Sequence, residues 1–426
     1  MAYQGGHIEM SNKAIDRVKY WGQLLGLPIY WLSFCVPRKK NIWLFGSTFG
    51  RRFADNPRYL YLYASQHRDE IRMKNGQAVR PLWISHKKEI VEFLKENGYE
   101  AYYYHSLKGI WYCLRGSIYI FDNYSKDISF WLSGGAVKFN LWHGIPLKKI
   151  QADNVFDKVR HPKNILDRIK VFPRRLSDEK PSHYVLTTSE KLKPIFESAF
   201  KTENVIVEGY PRNDILIGNK IKNLLTDIEY EKKIYIQNYI KNNKCKMVYY
   251  MPTFRESEED FFKIINLCEF EDFLKENNIL FCIKLHPKSK LKEAFEKIAG
   301  ENIFVINQDV DPYVFLKMAD MLITDYSSIY FDYLLIDKPI VFFDYDLEKY
   351  LNNSRDMYFE YKEFTPGEKV RNQNDLEKEI INGLTDGAMY SEFREKIRNQ
   401  VFKYPNETSS EKIVKDIMRL LGDELK

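Results

Sequence analysis

The sequence predicts an α/β protein built from two doubly wound domains in tandem, facing one another across a cleft. Three observations carry that expectation. Short apolar runs alternate with amphipathic segments along most of the chain, the pattern of parallel sheets covered on both faces. The alternation is interrupted once, by a polar helical stretch at 219–244, and then restarts. At 426 residues the chain is too long for one ordinary core and suits two.

Residues 1–40 read as a separate N-terminal segment with no signal-peptide pattern. Its longest uncharged run, Tyr20 to Val36, is short for a membrane span and is broken by Gly26 and Pro28. With Trp21, Tyr30 and Trp31 beside the basic "PRKK", it reads as an interfacial segment, or alternatively as a buried first helix.

The first domain is assigned to 41–218. "NIWLFGS" opens it as a strand, and "DNPRYLYLYASQH" follows as a helix with Asp55 or Asn56 as N-cap and Pro57 in the first turn. "VRPLWIS" is the next strand and "HKKEIVEFLKENG" a helix stopped by Gly98. "SIYIFDN", "VKFNLWHG", "HYVLTTS" and "NVIVEGYP" continue the strand series. After the connector at 219–244, the second domain is assigned to 245–387. Its strands are "KMVYYMPT", "ILFCIKLHP", "NIFVINQ", "MLITD" and "PIVFFD", with "EFEDFLKENN", "DPYVFLKMAD" and "SSIYFDYLLID" between them as helices. The segment 388–426 is helical and is expected to cross back over the first domain.

Composition narrows the function. A 44% hydrophobic and 15% aromatic content is ample for burial. The net charge of +6 is mild and both signs are mixed along the chain, which argues against a nucleic-acid binder and fits anionic substrates or an anionic membrane surface. Five scattered cysteines, never spaced C-x-x-C, suggest neither a disulfide framework nor a zinc site and favour a reducing cytoplasm. From Lys158 to Arg175 seven basic residues face one acid, Asp167: a solvated face, or a patch that steers an anionic lipid-linked acceptor.

Ligands of doubly wound sheets bind beyond the carboxyl ends of the strands, so polar residues just after strands are the site candidates. Ser327 and Ser328 follow the strand ending at Thr324–Asp325 and begin a helix. That position favours phosphate, although N-capping is the plainer use of the same residues. His143 exits a strand in "LWHGIPLKKI", with Gly144 allowing close backbone approach, and suits proton transfer at neutral pH. His286 in "CIKLHPKSK" repeats the arrangement in the second domain, with Lys284 and Lys288 nearby. Thr253 and Arg255 stand at the first strand exit of that domain; Arg255 can fork a phosphate or pair with Glu256 or Glu258. Arg212, Asn213 and Asp214 follow another strand, with helix capping the expected role for Asn213 or Asp214. Neither histidine has a ligand-spaced partner, so no metal site is expected at either. Asp325, Asp344 and Asp346 are the acids that could hold Mg²⁺ loosely.

"DNPRY", "LWHGIPLKKI", "EGYPRND", "YMPTFRE", "KLHP", "ITDYSSIYFDY" and "PIVFFDYDLEKY", in this order, resemble the CDP-glycerol glycerophosphotransferases of wall teichoic acid synthesis and their relatives in capsule synthesis. The resemblance runs from about 41 to 420. It implies a GT-B-like fold, an interdomain active site, and transfer of glycerol phosphate from CDP-glycerol to a hydroxyl with release of CMP. It also implies His143 as the base on the acceptor hydroxyl, His286 at the donor phosphates, and Ser327 and Ser328 holding the diphosphate. The partners it implies are a CDP-alditol donor, a lipid-linked polymer or glycan acceptor and the cytoplasmic face of the bacterial inner membrane, with no tightly bound cofactor and no nucleic acid.

CDP-ribitol users share these motifs, so the alditol stays open, as does the choice between a primase adding one unit and a compact polymerase. A GT-B glycosyltransferase or a sugar-nucleotide epimerase would keep the fold and change the donor. An inactive envelope scaffold would use 11–40 and 158–175 for binding alone.

Overall fold

The computed structural model describes residues 18–422 apart from 19, 179, 219–220, 256–257, 287–288, 299, 301 and 354–355. Residues 1–17 of the N-terminal segment, 423–426 of the last one, and Glu256, Pro287 and Lys288 beside the candidate site lie outside the described residues.

Two parallel sheets organise the chain. The first contains β1 (Lys39–Phe45), β2 (Arg80–Ser85), β3 (Ala101–Tyr103), β4 (Gly116–Phe121), β5 (Val137–Asn140), β6 (Tyr184–Thr187) and β7 (Val205–Val207), in the order β3-β2-β1-β4-β5-β6-β7. The second contains β8 (Lys246–Tyr250), β9 (Ile279–Ile283), β10 (Ile303–Val305), β11 (Met321–Thr324), β12 (Ile340–Phe343) and β13 (Glu368–Val370), in the order β10-β9-β8-β11-β12-β13. Each expected strand is present. β1 begins at Lys39, two residues ahead of the expected start, and β3 and β13 extend the sheet edges.

Runs such as β4, buried along its whole length, are apolar on both faces because helices cover both sides of the sheet. The direction in which successive strands are added switches between β1 and β4 in the first sheet, and between β8 and β11 in the second, while all strands stay parallel. Those two switch points open the crevices where a doubly wound sheet receives its ligand.

The connector does more than link. In its helix, Asp227–Asn243, Thr226 Oγ1 accepts the Glu229 N–H while the Glu229 carboxylate accepts the Thr226 N–H, a reciprocal cap. Glu229 is also buried against Arg58 of the first domain, with Oε1 2.8 Å from Arg58 Nη1, and accepts the Asp311 N–H of the second at 3.0 Å. A segment read as a polar spacer therefore carries a buried charge that both domains share.

The last helices cross back as expected. Ser410–Leu420 packs on the helix Asp55–Gln66, burying Ile413, Val414, Ile417 and Met418, and the Lys403 N–H donates to Thr188 O at 2.7 Å. Asp214 holds this helix in place by accepting the Ser409 and Ser410 N–H groups at 2.7 and 2.9 Å.

The N-terminal segment forms a short helix, Leu27–Ser33, that buries Tyr30 and Ser33 and leaves Trp31 64% and Leu32 67% exposed, with Leu25 82% exposed in the turn ahead of it. It is not a buried first helix. The basic run includes the helix Ile165–Asp178, which leaves Ile165, Leu166, Ile169 and Phe172 exposed. The two segments touch, since Tyr20 OH donates to Lys170 O at 2.9 Å. Among the described residues no helix is long and apolar enough to cross a membrane.

Candidate active site

The carboxyl ends of the two sheets supply the site residues. His143 follows β5 and is half-buried, its ring 3.9 Å from that of Trp142. Its Nδ1 lies 3.1 Å from the carbonyl oxygen of Asp122, which directly follows β4. A carbonyl only accepts, so Nδ1 carries the proton and Nε2 presents its lone pair. Nε2 meets no hydrogen-bonding partner among the described residues. Asp122 is locked in turn: its carboxylate accepts Ser47 Oγ at 2.7 Å, the Thr48 N–H at 3.1 Å and Asn123 Nδ2 at 2.9 Å. Burial and the Asp55 charge push the Asp122 carboxyl up from its ordinary range.

Gly144 brings the two domains into contact. A Cβ placed on it would fall 2.7 Å from Ser328 Oγ and 3.6 Å from Arg212 Nη2, so only hydrogen fits there. Arg212 is nearly fully buried and donates from Nη1 to Asp55 Oδ1 and to the carbonyl of His143, both at 2.8 Å, and from Nη2 to Asp332 Oδ2 at 2.7 Å. Its guanidinium also lies 4.7 Å from the Tyr313 ring centroid. Asn213 donates to the other oxygen of Asp332 at 2.9 Å. The capping roles expected of Asn213 and Asp214 differ in the structure. Asn213 reaches across to Asp332 of the second domain, and Asp214 caps the returning C-terminal helix nearly two hundred residues away, so neither side chain caps its own helix.

On the second domain, Thr253 follows β8 and Asp325 follows β11. The Asp325 carboxylate is buried and accepts the Thr253 N–H with both oxygens at 3.0 Å, the Ser327 N–H at 3.1 Å and Arg255 Nη1 at 2.8 Å. Arg255 grips Asp346 with Nε and Nη2 at 2.7 and 2.8 Å and also reaches Thr253 O and Tyr326 OH. Every donor of that fork is therefore engaged. Arg255 and Asp325 build the loop rather than offering free groups to a phosphate, and the partners of Arg255 are Asp325 and Asp346, not Glu258. Arg371 pairs with Asp344 at 3.3 Å. Asp325, Asp344 and Asp346 thus each face a guanidinium, a set that does not fit a divalent cation.

Open groups remain where the loop meets the cleft. Ser328 stands at the start of the helix Ile329–Tyr333 without a side-chain capping bond, since Asp325 takes the local N–H instead. The Ser327 and Ser328 hydroxyls bond to no described residue, and Thr253 Oγ1 is buried without a partner among them. His286 is exposed at the exit of β9 with its ring 4.5 Å from Phe254. Lys284 donates to Asn307 O at 2.7 Å, and burial, with Arg52 nearby, pushes its ammonium down to about 7.

The structure brings His143, Gly144 and Arg212 against Ser328, and groups Thr253, Arg255, Asp325 and Ser327 beside them. His286 and Lys284 stand further along the same sheet edge. Sequence reasoning passed over Asp122, Asp332 and Tyr313, and read Asp55 only as a helix cap. Asp122 carried a usable signal, because it ends the apolar run "SIYIF" as Asp325 ends "MLIT".

The family model for CDP-glycerol:poly(glycerophosphate) glycerophosphotransferases matches residues 29–419. The teichoic acid glycerol-phosphate transferase of Staphylococcus aureus (strain NCTC 8325 / PS 47) is 28% identical over 79% of this chain and 82% of its own. The teichoic acid poly(glycerol phosphate) polymerase of Bacillus spizizenii (strain ATCC 23059 / NRRL B-14472 / W23) is 25% identical over 84% and 90%. Among solved structures, the wall teichoic acid polymerase TagF superposes with a TM-score of 0.69 at 21% identity, over 97% of this chain and 98% of its own, which establishes the shared fold.

Proposed function

Because the chain belongs to the CDP-glycerol:poly(glycerophosphate) glycerophosphotransferase family, we propose that it moves glycerol phosphate from CDP-glycerol to a hydroxyl of a teichoic acid acceptor and releases CMP. The acceptor oxygen attacks the phosphorus that bears glycerol. The bond from that phosphorus to the bridging oxygen breaks, the bridging oxygen leaves with CMP, and the acceptor proton passes to His143 Nε2.

The observation that supports this reading is the close approach of Gly144, the residue after His143, to Ser328 of the donor-side loop. Ser327, Ser328 and Thr253 Oγ1 hold the diphosphate oxygens, and His286 stabilises the charge that grows on the leaving CMP. Arg212 sets the His143 backbone, and Arg255 with Asp325 shapes the loop. No tightly bound cofactor has a part in this scheme.

The chain works peripherally at the cytoplasmic face of a membrane, on a lipid-linked acceptor. Support comes from the exposed apolar residues Leu25, Trp31 and Leu32 of one segment and Ile165, Leu166 and Ile169 of the other, the latter interspersed with Arg168, Lys170 and Arg174. The test is CMP release from CDP-glycerol, CDP-ribitol and a panel of sugar nucleotides, with a membrane-extract acceptor. CMP from CDP-glycerol, lowered about 10²–10⁴-fold in His143→Ala, is expected. Turnover of a sugar nucleotide alone would overturn the reading, and CMP from CDP-ribitol alone would replace the alditol.

A further inference from the structure

A pocket in the first domain lies between the apolar helix Ile165–Asp178 and the residues that hold His143. Its wall includes Asn123, Lys138, Asn140, Arg160, Lys180 and Phe200. Asn123 and Asn140 are tied together, Asn140 Nδ2 donating to Asn123 O at 3.0 Å, and they flank Asp122 and Trp142, the residues that hold and abut His143. Phe200 packs edge-on against Trp142 with centroids 4.9 Å apart.

Lys138 is the unusual member. It sits on β5, inside an apolar strand, with 7% exposure, yet it is a lysine. Among the described residues no carboxylate pairs with its ammonium, and the nearest charges are themselves cationic. Lys180 donates to Tyr30 OH at 2.7 Å, and the Lys138 ammonium lies 5.8 Å from the centroid of the same Tyr30 ring. Burial, with Lys180 and Arg38 nearby, pushes the Lys138 ammonium down to about 8. The acid on the pocket wall, Asp178, is already paired with Lys126 and Arg174. An unpaired cation in such a place is costly unless a ligand supplies the counter-charge.

We propose that this pocket binds a phosphate group of the acceptor, with Lys138 and Lys180 as its cationic walls, so that the acceptor hydroxyl beyond that phosphate reaches His143. The assignment rests on the transferase reading above and deepens it. A teichoic acid chain carries a phosphodiester at each repeat, so one held here sets which hydroxyl is presented. The pocket also stands where an acceptor anchored beside the apolar helix would enter. Lys138 is a positioning residue and exchanges no proton with the substrate.

The test uses the full chain and soluble glycerol-phosphate oligomers, compared with glycerol-terminated analogues that lack phosphate. The wild type is expected to favour the phosphate-bearing acceptor, and Lys138→Met to raise its KM at least about tenfold with the KM for CDP-glycerol unchanged. The neutral analogue should be indifferent to the substitution, and Lys138→Arg should restore part of the preference. An equal preference in wild type and Lys138→Met overturns the proposal.

Calorimetric titration with inorganic phosphate in a Ser327→Ala/Ser328→Ala background, which removes the donor-loop hydroxyls, separates this failure from failure of the transferase reading. Binding that Lys138→Met abolishes supports the pocket even if no CMP appears, and binding unaffected by the substitution sinks it. Vesicles of phosphatidylglycerol distinguish the remaining source of phosphate. Vesicle binding lost in Lys138→Met, with soluble acceptors unaffected, would assign the pocket to a lipid headgroup instead.

Discussion

Arg212 Nη2 and Asp332 Oδ2 lie 2.7 Å apart, with side chains only 3% and 1% exposed, one from each domain. Arg212 holds the His143 carbonyl with its other arm, so one guanidinium joins the domains and sets the loop that carries His143. Replacing Asp332 with alanine leaves that charge buried and short of a partner. The expected cost is about 3–5 kcal/mol, read as a lower midpoint in urea unfolding. Arg212→Lys should fail as a rescue, because one ammonium cannot reach Asp55, His143 and Asp332 together. Wild-type stability in either variant would contradict this.

Gly144→Ala places a methyl 2.7 Å from Ser328 Oγ and is expected to lower stability by about 1–3 kcal/mol. Ser328→Gly removes both the Oγ and the Cβ that the methyl meets. The double variant should therefore be more stable than the sum of the single changes allows, in a thermal-unfolding cycle. Strict additivity would mean that the domains separate freely at this contact.

Lys138→Met is expected to raise the melting temperature, because it replaces an unpaired buried ammonium by an apolar side chain of similar length. The gain has a pH signature. The folded amine titrates near 8 against an ordinary 10.5, with Lys180 and Arg38 as the charges that disfavour it. The wild type bears the full cost below pH 8 and sheds it as pH rises from about 8 to 10.5, where the unfolded chain still binds the proton. The difference between variant and wild type should therefore be largest below pH 8 and shrink above it. A difference independent of pH would show that the amine is not the cause.

Leu166→Glu combined with Trp31→Glu puts charge into the two exposed apolar surfaces. Sedimentation with anionic vesicles should weaken by roughly tenfold or more, since each apolar side chain contributes about 1.5–3 kcal/mol when buried. CMP release on a soluble acceptor should persist. Unchanged sedimentation would move the membrane contact elsewhere.

Much of the fold is legible in sequence for a local reason. Parallel strands buried on both faces are continuous apolar runs, so "MLITD" and "ILFCI" announce themselves, and the polar residue after each run marks the ligand edge. His143, Ser327 and Thr253 stand out in that way. The partners do not, because they come from afar: Asp346 reaches Arg255 across 91 positions and Asp332 reaches Arg212 across 120. No local pattern separates an arginine open to phosphate from one already held by two carboxylates. The helix Ile165–Asp178 was hidden differently. Its basic residues dominate the composition, and the apolar face of Ile165, Leu166, Ile169 and Phe172 emerges only when they are laid on a 3.6-residue turn.

The return of Ser410–Leu420 to the first domain has a consequence for biosynthesis. The helix Asp55–Gln66 is made early, yet Ile413, Val414, Ile417 and Met418, which help to cover it, are made after the entire second domain. On the ribosome the first domain therefore waits with an uncovered apolar flank until translation has passed residue 420. Chains stalled or cleaved before that point present this flank to chaperones and proteases, so the state of the half synthesised first reports whether the returning helix has been made.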